Sequence, residues 1–222
     1  MVVAGEGIVA MVREIAAALL ASLMFASGPA NAQDGGKADV RVGDRWAYEL
    51  KDAATGDLRH SATIVVVGVT DKEINTQISL SGRDKPMTYI YGRDWSRIQD
   101  TQWKFQPPEG GFRFPLKVGA EWRRETGARH LSNGTGLQGS SLDKVLGEEK
   151  VTTPAGTFDT YKVQRVLQQT GGDNRTRVSV TTATYWYAPA INRWVKRSNE
   201  VRSDGRVRDS TVEELTAYSR KP

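Results

Sequence analysis

Val42-Gly43-Asp44-Arg45-Trp46 returns as Val118-Gly119-Ala120-Glu121-Trp122, and each copy is followed by a second matching stretch. Met87-Thr88-Tyr89-Ile90-Tyr91-Gly92-Arg93-Asp94-Trp95-Ser96-Arg97 corresponds to Ala183-Thr184-Tyr185-Trp186-Tyr187-Ala188-Pro189, continued by Trp194-Val195-Lys196-Arg197. Two matched stretches in the same order read as a diverged duplication of one unit. The unit is β-rich. Ala62-Thr63-Ile64-Val65-Val66-Val67 is a short β-branched run, long enough for a strand and too short for most helices. Ile74, Ile78 and Leu80 alternate with Asn75, Gln77 and Ser79, as in a strand with one wet face. Val178 and Val180 alternate with polar neighbours in the same way.

Turn signals such as Thr55-Gly56-Asp57, Thr70-Asp71-Lys72, Gly82-Arg83-Asp84 and Ser203-Asp204-Gly205 separate these runs at short intervals, which predicts antiparallel meanders. About ten or eleven strands are expected. With no sustained helical period, such a sheet must curl on itself or pack on another to hide one face. The expected fold is mainly β: an antiparallel curled sheet or half-barrel built from two related halves. The halves are residues 41–105 and 115–218 of a single domain over 41–222, joined by a Pro/Gly loop around Pro107-Pro108-Glu109-Gly110-Gly111. Arg129–Ser141, rich in Gly, Ser and Asn, is expected to loop out. Thr153-Pro154-Ala155-Gly156 between two strand-like runs predicts a tight hairpin.

The N-terminus reads as a targeting segment. Arg13 precedes an apolar run from Ile15 to Phe25, and Ala30-Asn31-Ala32 is an A-x-A cleavage signal. Residues 1–32 are expected to be a signal peptide, and 33–40 a flexible leader. The run is shorter than the roughly 20 apolar residues of a transmembrane helix. The sequence has no cysteine, which excludes disulfides, thiolate nucleophiles and cysteine metal sites. The expected location is the periplasm, with secretion as the other outcome of export. The chain carries 31 Lys+Arg against 26 Asp+Glu, a net charge of +5. Outside the cytoplasm such a charge meets anionic head groups or cell-wall polymers rather than nucleic acid.

Chemistry is weakly signalled. The two histidines, His60 and His130, lack partners at metal-ligand spacing, and no G-x-S-x-G elbow is present. A non-enzymatic protein without cofactor or metal is expected. The aromatic residues of the matching stretches are the candidates for a binding groove: Trp46, Trp122, Tyr89, Tyr185 and Trp186, with Arg124 and Arg197 to hold an anionic head group. The same rings could equally be core. Tyr185, Trp186 and Tyr187 are consecutive, so on a strand they point to both faces.

Thr153-Pro154-Ala155-Gly156-Thr157-Phe158, Tyr185-Trp186-Tyr187-Ala188-Pro189 and Glu214-Leu215-Thr216-Ala217-Tyr218 resemble the "PAGTF … WYAP" signatures of a group of uncharacterised bacterial exported proteins. Some of these are similar in fold to periplasmic lipoprotein carriers, with a curved antiparallel sheet around an apolar groove. The resemblance implies a soluble binding or carrier protein for an apolar or amphipathic envelope molecule such as a lipid. The alternative is an envelope interaction module that docks a protein or cell-wall partner through a sheet edge or the basic hairpin around Arg193–Arg208.

Overall fold

A computed structural model describes residues 38–171 and 174–221, without the side chains of 174–177; the expected signal peptide lies outside the described residues. Twelve antiparallel strands form one closed barrel. They are β1 (Arg45–Asp52), β2 (Leu58–Val69), β3 (Glu73–Leu80), β4 (Met87–Gly92), β5 (Ser96–Gln99), β6 (Trp103–Gly110), β7 (Glu121–His130), β8 (Gly136–Thr153), β9 (Gly156–Gly171), β10 (Asn174–Ala188), β11 (Arg193–Ser203) and β12 (Arg206–Ser219). Each strand pairs with its neighbours in the chain, and β1 closes the ring against β12 from Arg45↔Ser219 to Asp52↔Thr211. The expected half-barrel is therefore a full one. Closure pairs the first strand with the last, so neither is a free sheet edge.

The two stretches that open the halves adopt the same local structure. Gly43 and Gly119 both have positive φ, at 92° and 84°, a region open to glycine and strained for other residues. Gly43 N–H donates to Val66 O, and Gly119 N–H to Val145 O, at 2.8 and 2.9 Å. Val66 N–H and Val145 N–H each donate back, to Asp44 and Ala120 carbonyls. Trp46 and Trp122 then point inward on the first strand of each half.

Other segments depart from expectation. Gln106–Gly110 belongs to β6 rather than to a joining loop. Proline cannot donate to a ladder, and here it does not need to: β6 pairs with β7 only from Trp103↔His130 to Phe105↔Ala128. Gly136–Ser141, expected to loop out, is the start of β8. A Cβ on Gly139 would come within 2.6 Å of Gln168 O, so this glycine serves close approach and not freedom. Ala38 and Val40, placed in the flexible leader by sequence, are buried in the core. Ala38 N–H donates to Arg93 O, Arg93 Nη2 donates to Ala38 O, and Arg220 Nη2 donates to Asp39 O. The Thr153–Gly156 hairpin forms where expected.

Eight strands give a barrel that side chains can just fill; twelve give a wider one. The inward side chains fill one end of this width and are less buried at the other. At the end where β1, β7 and β11 begin, rings and loops form an apolar plug. Trp46, Trp95, Trp194, Tyr187, Phe112, Ile191 and Leu116 are all buried there. Trp46 and Trp95 meet edge-on at 5.9 Å, and Trp95 and Trp194 at 6.4 Å. The indole N–H groups of Trp46 and Trp95 donate to the carbonyls of Ile191 and Asn192, which pins the 3-10 turn Pro189–Ile191 into the plug. At the opposite end the inward positions Leu50, Leu80, Met87, Gln99, Gln169 and Val201 are only half-buried.

One turn at that end is tied by charge. Asp52 Oδ1 accepts from the N–H groups of Ala54 and Thr55, and its Oδ2 lies 2.6 Å from Arg59 Nη2. The hydrogen bond from Arg59, followed by those from the backbone, pulls the Asp52 pKa down to about 2. A depressed carboxylate contributes stability that is full above its unfolded pKa and disappears as pH falls through the folded one. Stability from this turn should thus decline between about pH 4 and pH 2. Urea titrations of Asp52→Asn against wild type should show a flatter acid limb in the variant; parallel curves would show that the clasp contributes nothing.

Candidate functional site

Among the described residues, charged side chains turn inward in number between the plug and the opposite end of the barrel. Strand alternation sets which ones. Along β9, Val163, Arg165 and Leu167 face in, so an arginine interrupts an apolar stripe. Going round from β5 to β12, the inward wall carries Arg97, Glu109, Arg124, Asp143, Arg165, Tyr185, Arg197 and Glu213, one on each strand. The facing wall, β1 to β4, carries Leu50, Ala62, Ile64, Ile78, Leu80 and Met87. The inward acids and arginines thus lie on β5 to β12, while the inward positions of β1 to β4 are mainly apolar, with His60, Thr76 and Tyr89 among them.

Each polar residue has a partner. Arg97 Nη2 donates to Glu109 Oε1 at 2.6 Å, and Arg97 Nη1 lies 3.3 Å from Asp100. Arg124 Nη2 donates to Asp94 at 2.9 Å. Arg165 Nε donates to Asp143 Oδ1 at 2.6 Å and Nη2 to Gly111 O at 2.7 Å. Glu213 accepts from Trp194 Nε1 at 2.8 Å and lies 3.4 Å from Arg197 Nε. Burial alone would lower the pKa of Arg197; the Glu213 carboxylate and the hydroxyls of Tyr185 and Tyr91 outweigh it and raise the value. Burial raises the Asp143 pKa, with Arg165 opposing. Burial likewise raises Tyr89 and Tyr48.

Beneath this wall, Arg193 is completely buried. Its guanidinium carbon lies 4.1 Å from the Trp95 ring centre and 4.0 Å from that of Trp194, with Trp46 and Tyr91 at 5.3 and 5.6 Å. Four rings thus cradle one cation. The Tyr48 hydroxyl is near enough to feel its charge and to make a loose hydrogen bond with it, while none of its three nitrogens has a well-formed one.

The residues expected to line a groove divide among three places. Trp46 and Trp122 are packed, Trp46 wholly within the plug. Tyr89, Tyr185, Arg124 and Arg197 face the lumen and are half-buried. Trp186 lies on the outer face, where its N–H meets Glu149 and its ring takes Lys162 and Lys196. The basic hairpin also resolves differently. Arg193 and Arg197 turn inward, Lys196 pairs with Glu214, Arg202 with Glu200 and Arg208 with Asp204, and Arg206 is exposed at the turn. Glu109, Asp143, Arg165 and Glu213 were not singled out from sequence; the signal was an ionisable residue in register with inward apolar neighbours.

A separate cleft of about 890 Å³ spans β6 to β9, bordered by Lys104, Gln106, Arg129, Gln138 and Thr170 among others. It includes none of the seven residues named above. Among the described residues no three histidine or acidic side chains gather as a metal site. None of their helices is long and apolar enough to cross a membrane. The outer face carries Glu49, Lys51, Glu121, Arg123, Glu125 and Lys144 on successive outward positions, the reverse of the apolar band of a lipid-facing barrel.

Residues 115–210 match the model of a family described as "Protein of unknown function (DUF3108)". No curated protein matches the chain. Two crystal structures share its fold. One is a candidate lipoprotein from Parabacteroides distasonis, 14% identical with a TM-score of 0.58, covering 84% of this chain and 100% of that one. The other is a candidate exported protein with a YmcC-like fold from Bacteroides fragilis, 13% identical with a TM-score of 0.54, covering 83% and 99%. At these identities the likeness establishes the barrel and nothing about activity.

Proposed function

We propose that this barrel is a non-enzymatic binding or carrier protein of the bacterial periplasm that takes an amphipathic envelope molecule into its lumen. The observation that carries the reading is the two-sided lining: Ile78, Leu80 and Met87 on one arc, Arg97, Arg165 and Arg197 on the other. A solid core would not need a charged arc, since replacing buried ion pairs by apolar residues is commonly neutral or stabilising. A ligand with an apolar tail and a polar head satisfies both arcs at once. The similarity to candidate exported proteins supports an envelope location. The matching turns at Gly43 and Gly119 support the reading of two related six-strand units within one domain.

The test is to purify the protein from a periplasmic extract and compare its native and denatured masses, with an organic extract analysed alongside. A mass lost on denaturation and recovered as an amphiphile in the extract is the expected result. A bare native mass, unchanged after incubation with envelope lipids, would reject the carrier reading.

A further inference from the structure

Arg97 and Arg197 stand on the fifth strand of their respective six-strand halves, and each faces a glutamate on the sixth. Arg97 is opposite Glu109, and Arg197 opposite Glu213. The two pairs share their exposure. The arginine side chains are 31% and 32% accessible, the glutamates 15% and 11%. In both, the arginine is the more accessible member of the pair. Three tyrosines lie between them. Tyr91 feels both arginines, Tyr89 is acted on by both, and Tyr185 hydrogen-bonds to Arg197.

The supply of hydrogen-bonding atoms is one-sided. Among the described residues, nine buried side-chain polar atoms lack a partner, and eight of them are nitrogens. Three lie in the wall, Trp122 Nε1, Arg124 Nε and Arg197 Nε, the last of them 3.4 Å from Glu213, and three belong to Arg193, which four rings and the Tyr48 hydroxyl surround. None is a carboxylate oxygen. Buried donors ordinarily find acceptors, and guanidinium donors match oxyanions best. A wall whose carboxylates are committed to arginines, and whose arginines are the more accessible member of each pair, selects a ligand that brings acceptor atoms and negative charge.

We infer that Arg97 and Arg197 form a two-sided clamp for an oxyanionic head group, with its chain against Leu50, Leu80 and Met87. This rests on the carrier reading and names the ligand class it takes. Tyr89 and Tyr185 supply hydroxyl donors beside the clamp, and Arg193 contributes positive potential from the floor.

Calorimetric titration with three probes below any micelle-forming concentration tests it: dodecyl phosphate, dodecyl maltoside and inorganic phosphate. Dodecyl phosphate should bind about tenfold or more tightly than either the neutral amphiphile or the free anion. Arg197→Gln/Glu213→Gln removes both charges of one pair, so no buried ion is orphaned; it should weaken dodecyl phosphate about tenfold and leave dodecyl maltoside unchanged. Trp186→Ala, on the outer face, should bind like wild type. Equal affinity for the two amphiphiles would overturn the clamp while leaving a carrier. Inorganic phosphate binding as tightly as dodecyl phosphate would replace the amphiphile with a free anion. No binding of any probe would overturn both readings.

Discussion

Trp46→Ala should lower stability by about 3–5 kcal/mol, and the melting temperature by about 6–20 °C. Trp46 is fully buried, packs edge-on against Trp95, donates its indole N–H to Ile191 O and lies over Arg193. Alanine would leave a cavity the size of an indole, an unsatisfied carbonyl and a cation with one ring fewer. Collapse cannot easily fill the space, since the surrounding rings are held by their own N–H groups and by the 3-10 turn. The comparison is Trp186→Ala, whose ring lies on the outer face and whose loss should change stability by only about 0.5 kcal/mol. Urea unfolding of both variants reads the difference. Equal midpoints would mean that this end of the barrel is not a packed plug.

Arg165→Ala should cost a similar amount, about 3–5 kcal/mol, for a different reason. Asp143 is completely buried and receives Arg165 Nε at 2.6 Å, so removing the arginine strands a carboxylate. The same guanidinium ties Gly111 O to the wall. The effect should depend on pH. Burial already raises the Asp143 pKa, and Arg165 opposes it; without Arg165 it rises further. A raised carboxylate contributes stability present below its unfolded pKa and lost as pH rises through the folded one. The deficit of Arg165→Ala should therefore be largest near neutrality and shrink in acid, toward about pH 4. Arg165→Ala/Asp143→Ala should regain much of the loss at neutral pH. A deficit that is the same at pH 4 and pH 7 would show that Asp143 is not the group stranded.

The strands were legible because period-2 alternation is local: Ile74, Ile78 and Leu80 announce a half-buried strand wherever it sits. Closure was not, because no residue near Arg45 or Ser219 states that they will meet. Gly139 and Pro107 misled for one reason. Each is a usual loop residue, and each is used here inside a strand, for close packing in one case and for an unpaired flank in the other. The rings were recognised as important, but a tryptophan in the plug and a tyrosine in the lumen obey the same alternation. What separates them is height along the barrel axis, a quantity that accumulates from twelve registers. Glu213 and Glu214 show the finest case. Read together they look like a wet edge; alternation sends Glu213 in to Arg197 and Glu214 out to Lys196.

The β1–β12 closure has a bearing on how the chain acquires its shape. Every other ladder joins consecutive strands, so eleven of the twelve seams are hairpins or near-hairpins, contacts that form early because little loop entropy opposes them. One seam joins the first strand to the last, and only when it zips does the wide ring exist. Arg45 sits beside Ser219, and Lys221 N–H donates to Asp44 Oδ1 at 2.8 Å, so a short covalent link from residue 221 to residue 38 would turn that late, distant seam into another local turn. New ends opened at an exposed turn such as Gly82–Lys85 would then hand the closing step to β3 and β4. The ring is the same whichever seam closes last; the order of assembly belongs to the thread and not to the barrel.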